Sequence, residues 1–168
     1  MIMKNLFLKE RTPQPLADVQ DEVFDKVEAV FFDIDDTFSG GGSPRTHCIL
    51  DLAYDALWQM KRSGLKIIPV TGRPAGWCDM IARMWPVDAV VGENGAFFAV
   101  LEKSNSVTKL KKTYLESPQV RMRNRLKLKR LETHLRKKFP KIRTASDQAF
   151  REFDLALDYC EDVKPWKL

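Results

Sequence analysis

Three short apolar runs set the outline of this 168-residue chain. They are Ala29-Val30-Phe31-Phe32, Leu65-Lys66-Ile67-Ile68-Pro69-Val70 and Asp88-Ala89-Val90-Val91. A short, nearly unbroken apolar run suits a strand buried on both faces. Between the first two runs, residues 46–63 place Ile49, Leu50, Ala53, Leu57 and Met60 on one helical face, and Gly64 supplies the stop. Between the second and third, Pro74 opens a helix that passes through Trp77 and Ile81 towards Trp85, and Pro86 ends it. Strand, helix, strand, helix, strand predicts an α/β fold with a parallel sheet covered by helices. Pro69 cannot donate to a ladder, so pairing weakens near the end of the second strand. Sites in such sheets lie beyond the carboxyl ends of the strands. Asp33–Thr37, Thr71–Arg73 and Gly92–Gly95 all fall there.

The flanks read differently. Residues 1–28 form a lead-in broken by Pro13 and Pro15, with a short helix over 16–27. Residues 39–44 are a glycine-rich turn, and Ala96–Leu101 an extended hairpin arm. Residues 119–139 predict a basic helix with Leu128, Leu131, Leu135 and Phe139 on one face, ended by Pro140. Residues 153–160 alternate well enough to predict a strand.

Residues 102–143 hold 15 Lys and Arg against 3 Asp and Glu, a net of +12, while the remainder holds 13 against 20, a net of −7, which together give +5. The basic helix at 121–138 reads as a solvated face, with a nucleic-acid or phosphate-binding surface as the sharper alternative. Cys48, Cys78 and Cys160 lack zinc spacing and read as reduced structural thiols. His47 and His134 read as surface residues, and Trp58, Trp77 and Trp85 as core or core-rim packing. No eighteen-residue apolar run and no signal-like start occur, so a cytoplasmic protein without a membrane span is expected.

The chemistry concentrates on the first strand end. Asp33 and Asp35 stand one residue apart just beyond a buried strand. Carboxylates this close repel unless a cation sits between them, and oxygen ligands of this kind suit Mg²⁺. One carboxylate can attack a phosphoryl group, and the other can protonate the leaving oxygen and activate water. Thr37 and the backbone N–H groups of the turn can bind phosphate oxygens, as can Thr71 and the N–H of Gly72. A calcium loop would need Gly at Phe38 and Glu at Pro44, and no Gly-Lys-Ser/Thr follows the glycines at 40–42 to make a P-loop.

Phe32-Asp33-Ile34-Asp35-Asp36-Thr37 resembles the first motif of the haloacid dehalogenase (HAD) superfamily of phosphohydrolases. Val70-Thr71-Gly72-Arg73 resembles its second motif, and Val91-Gly92-Glu93-Asn94-Gly95-Ala96 resembles the point where the large cap of subfamily IIB sugar-phosphate phosphatases begins. The resemblance implies a Rossmannoid parallel sheet whose first three strands occupy residues 29–95, followed by part of an α+β cap at 96–168. It implies Asp33 as nucleophile, Asp35 as general acid and base, and Mg²⁺ held by the Asp33 side chain and the Asp35 carbonyl. Thr71 would bind phosphate, and Arg73 and Asn94 would lie near a small phosphorylated substrate. Asn94-Gly95 reads equally as a hairpin turn, and Glu93 as structural.

The family's later lysine and its Gly-Asp-x-x-Asn-Asp acidic pair have no counterpart here; Lys164 and Lys167 lack the context. The expectations are weak or absent activity in this chain alone, and a first strand exposed to self-association. The alternative is a non-catalytic product or binding module, or a nucleic-acid-associated protein using the basic segment.

Overall fold

The computed structural model describes residues 15–40, 51–104 and 106–164. Several expectations lie outside them: Pro13 in the lead-in, the turn at 41–44, Ile49, Leu50, His47, Cys48 and Lys167. Five strands form one sheet in the order β1-β2-β3-β4-β5. They are β1 (Ala29–Asp33), β2 (Lys66–Val70), β3 (Val90–Gly92), β4 (Phe97–Ser104) and β5 (Val107–Tyr114). The first two pairings are parallel and the last two antiparallel. The fold is thus mixed α/β, with the expected parallel half.

The short helix α1 (Asp21–Phe24) precedes β1. Helix α2 (Asp51–Arg62) buries Leu57, and α3 (Ala75–Met84) buries Ala75, Cys78, Ile81 and Ala82. Pro74 serves as the N-cap of α3 rather than its first helical residue. The core gathers Ile34, Cys78, Ile81, Val90, Phe97 and Ala99, with Phe32, Trp85 and Phe153 packed around it. Burial pushes the Cys78 thiol up to about 12, helped by the nearby Glu93 charge, in keeping with an inert structural thiol. Trp58 and Trp77 are 40% and 41% exposed, each beneath an arginine, so only Trp85 joins the packing.

Gly92 ends β3 against the core. A Cβ there would lie 2.5 Å from both Cys78 Sγ and Phe97 Cζ. Gly92→Ala is expected to cost about 2–3 kcal/mol by overpacking, seen as a lower urea midpoint with an unchanged slope. A midpoint within error of the parent would contradict that packing.

Asp88 staples β2 to α2. Its carboxylate accepts from the Ile67 N–H at 2.9 Å and pairs with Lys61 at 2.6 Å and Lys66 at 3.6 Å. Burial works against the charge, but Lys61, the Ile67 N–H and Lys66 outweigh it, and the carboxyl sits below its ordinary value. A depressed folded-state value stabilises the fold above the unfolded value of about 3.9, and that contribution fades as pH falls through the folded one. Asp88→Asn is therefore expected to flatten the loss of stability below about pH 4, and urea midpoints measured between neutral and acid pH check it. An acid limb as steep as the parent's would refute it.

Helix α4 (Pro118–Lys138) starts at Ser117, whose side chain accepts from the Val120 N–H. It buries no residue: Leu131 stays 46% exposed and Phe139, just past its end, 43%, so the predicted apolar face covers little. The strand predicted at 153–160 does not form; only a bridge between Thr144 and Leu157 occurs. The N–H groups of Phe153 and Asp154 go to Glu93 and that of Ala156 to Gln148, which removes the donors a ladder needs. No helix among the described residues is long and apolar enough to cross a membrane.

Candidate functional site

Register brings the three strand ends together. Asp33 pairs with Val70, and Val70 with Val91. The chain leaves each strand at that level, so the turns after β1, β2 and β3 meet. The first turn is held by its own backbone. Ile34 O accepts from the N–H groups of Phe38 (3.0 Å) and Ser39 (2.7 Å) and from the Ser39 hydroxyl (2.9 Å). Asp36 takes the left-handed conformation at φ 58°, which reverses the chain. Asp33 is exposed at the mouth, and the Thr37 hydroxyl donates to its Oδ2 at 3.1 Å. Among the described residues the N–H groups of Asp36 and Thr37 make no hydrogen bond, so they remain for an anion.

The second turn supplies the positive charge. Arg73 Nε donates to both Asp35 oxygens at 3.0 Å, and Nη2 donates to Oδ1 at 2.6 Å. The guanidinium lies 4.8 Å from the Trp77 ring centroid and is largely buried. The Asp35 hydrogen bond raises the Arg73 value against the opposing effect of burial. The Arg73 guanidinium thus neutralises the Asp35 carboxylate. Thr71 is buried, and its Oγ1 accepts the Arg73 N–H at 3.0 Å, which shapes the loop. Gly72 leaves room for Asn94, whose Oδ1 would be 3.0 Å from a Cβ there.

The third turn locks the second. Glu93 N donates to Arg73 O, and Asn94 N to Thr71 O. Both Glu93 and Asn94 have positive φ, at 45° and 57°. Asn94 Nδ2 donates to Asp154 at 3.0 Å, so its amide points to the C-terminal segment. The Glu93 carboxylate is 1% exposed and accepts four N–H groups, from Ala75, Glu152, Phe153 and Asp154. Its structural reading therefore holds. Arg151, which carried no sequence signal, donates to Gly72 O at 2.9 Å and is fixed by Asp147.

The oxygen donors suit Mg²⁺ in a limited way. Mg²⁺ binds through one or two carboxylates and keeps several waters. The exposed Asp33 carboxylate fits that role, whereas the Asp35 carboxylate is engaged by Arg73. No group of three or more His, Cys, Asp or Glu that could hold a metal occurs among the described residues.

No protein-family model and no curated protein matches the sequence. Solved structures do. A Thermoplasma acidophilum protein is 16% identical over 79% of this chain and 51% of its own, with a TM-score of 0.51, and shares the fold. A HAD phosphatase from Bacteroides thetaiotaomicron is 25% identical over 64% of this chain and 36% of its own, at a TM-score of 0.43. A subclass IIB HAD sugar phosphatase is 34% identical over 44% and 28%, at 0.36. The chain thus spans between 28% and 51% of the length of these three proteins.

Proposed function

We propose that this chain carries the nucleophile-bearing half of a HAD-type phosphatase acting on a small phosphomonoester such as a sugar phosphate. The observation behind this reading is the meeting of Asp33, the Arg73–Asp35 pair and the Thr71 loop at three adjacent strand ends. Asp33 attacks phosphorus through a carboxylate oxygen, and the bond from phosphorus to the ester oxygen breaks. Asp35 gives that oxygen its proton. It then takes a proton from water, which attacks the same phosphorus, releases phosphate and frees Asp33. Both Asp35 oxygens are held by Arg73, so each proton transfer requires that pair to open. Thr37, Gly72 and the released Arg73 are the phosphate ligands in this scheme, Thr71 shapes their loop, and Asn94 borders the substrate.

The Asp33 side chain and the Asp35 carbonyl would hold Mg²⁺, which supplies positive charge to the phosphoryl oxygens. Asp33 has no ion-pair partner among the described residues, so turnover by this chain alone is slow. A reducing cytoplasm is the compartment that fits the thiols.

The test follows p-nitrophenyl phosphate hydrolysis with Mg²⁺ and with chelator. Because turnover is slow, acetyl phosphate labelling is added, with the acyl phosphate reduced by borohydride and located by mass spectrometry. A label on Asp33 that requires Mg²⁺ supports the reading. A label elsewhere, or none, overturns it.

A further inference from the structure

The largest hollow among the described pockets is not at the Asp33 mouth. It is a groove of about 700 Å³ between α3, β5 and residues 149–152, roofed by α4. Five cationic residues line it: Arg83, Lys109, Lys112, Arg125 and Arg151. Three of them are already matched, Arg83 by Asp79, Lys112 by Glu152 and Arg151 by Asp147. Lys109 lies on the other face of β5 from Lys112, so Arg125 is the lining cation that turns to the groove without an acidic partner among the described residues. Two smaller hollows continue the groove along α4, and both include Arg125 and Glu152. The first adds Lys129, likewise without an ion pair among the described residues. The second adds Arg121.

Arg121 is the independent sign of a ligand. Its Cζ lies 3.8 Å from the Tyr114 ring centroid, and its Nε is buried with no hydrogen-bond partner among the described residues. Stacking on Tyr114 fixes the guanidinium, and its Nη groups are neither buried nor hydrogen-bonded among the described residues, so they are the donors a ligand would meet. Arg121, Arg125 and Lys129 recur every four residues, which puts them on one stripe of the helix. That stripe faces the hollows. The basic character of α4, nine Lys and Arg against one Glu, therefore has a directed component as well as a solvated one.

The floor is apolar. Phe150 lines the groove with 60% of its surface exposed, its near edge packed on Gly76, where a Cβ would come within 3.1 Å. A cationic track beside an open aromatic ring matches a ligand with several phosphates and a flat ring system. We propose that this groove binds a nucleoside polyphosphate, with phosphates on Arg121, Arg125 and Lys129 and the base against Phe150. The assignment is independent of chemistry at Asp33.

Binding of adenosine triphosphate to the whole chain, measured by calorimetry without added metal, tests it. Arg125→Gln and Arg121→Gln are each expected to weaken binding roughly tenfold or more, the loss of a charge-assisted hydrogen bond. Lys137→Gln, an exposed charge outside the groove, and Asp33→Asn should leave affinity unchanged; a loss in Asp33→Asn would place the ligand at the other site and overturn the proposal. So would the absence of saturable binding, or undiminished binding in the Arg121 and Arg125 variants with their fold intact by circular dichroism. Inorganic tripolyphosphate held as tightly as the nucleotide would remove the base from the assignment. A tighter hold on a single-stranded oligonucleotide of equal charge would make the groove a nucleic-acid track instead.

Discussion

Replacing Glu93 by alanine is expected to cost about 3–5 kcal/mol, a large share of the about 5–15 kcal/mol that holds an ordinary domain folded. Its buried carboxylate accepts from four backbone N–H groups between 2.6 and 3.0 Å away. Hydrogen bonds to a charged acceptor contribute about 1.5–3 kcal/mol each, and truncation leaves the donors buried without partners. The four terms do not add fully, because water enters the vacated space and residues 152–154 relax. Glu93→Gln is the sharper comparison. Its amide keeps one acceptor oxygen but points an NH₂ group at two of the donors, so it should lose nearly as much despite its matched volume. Urea midpoints with far-ultraviolet circular dichroism read both variants. A loss under about 1 kcal/mol in both would mean that these bonds are easily replaced by water.

The second large effect concerns rate. Asp33→Asn is expected to lower phosphate release from p-nitrophenyl phosphate by about a thousandfold or more, roughly 4 kcal/mol in barrier. An amide cannot form the covalent intermediate, and only binding and positioning remain. Asp35→Asn should be milder with this substrate, since nitrophenolate leaves without a proton, and harsher with an alkyl phosphate, whose leaving oxygen needs one. Stopped assays on both substrates give the two ratios. Equal losses at Asp35 on both would remove the general-acid role, and an Asp33→Asn rate within tenfold of the parent would remove the nucleophile.

The parallel half of the sheet was legible from its three apolar runs, but burial on both faces does not extend to β1: β2 and β3 bury residues, whereas β1 buries none and leaves Phe31 64% exposed. β5 was not legible. Val107–Tyr114 alternates, but its solvent side carries Lys109 and Lys111, and Lys112 sits on the inner side against Phe97 and Glu152, so the run reads as a charge cluster. The strand predicted at 153–160 failed for the opposite reason. Its side-chain pattern was right, but the Glu93 and Gln148 side chains had taken the backbone donors. Asp33, Asp35, Thr71, Arg73 and Asn94 were all singled out from local motifs, and the turns that carry them meet at adjacent strand ends. What no local pattern encodes is who pairs with whom. The Arg73–Asp35 bond spans 38 positions, and Arg151 reaches Gly72 across 79.

At its open end the sheet presents β1, which pairs on one side only among the described residues and leaves Phe31 64% exposed. An unpaired edge of this kind is a template for another strand.

The Glu93 node also has a consequence for the order in which the molecule is made. Chains fold from the N-terminus as they leave the ribosome. The turns bearing Asp33 and Arg73 emerge early, yet three of the four donors that hold Glu93, and the Arg151 clasp on Gly72, belong to residues 151–154. Until that stretch is translated, Glu93 has only the Ala75 N–H to hold it, and the cleft is pliable. The nascent chain therefore carries the Asp33 turn long before it can hold the surrounding loops in place.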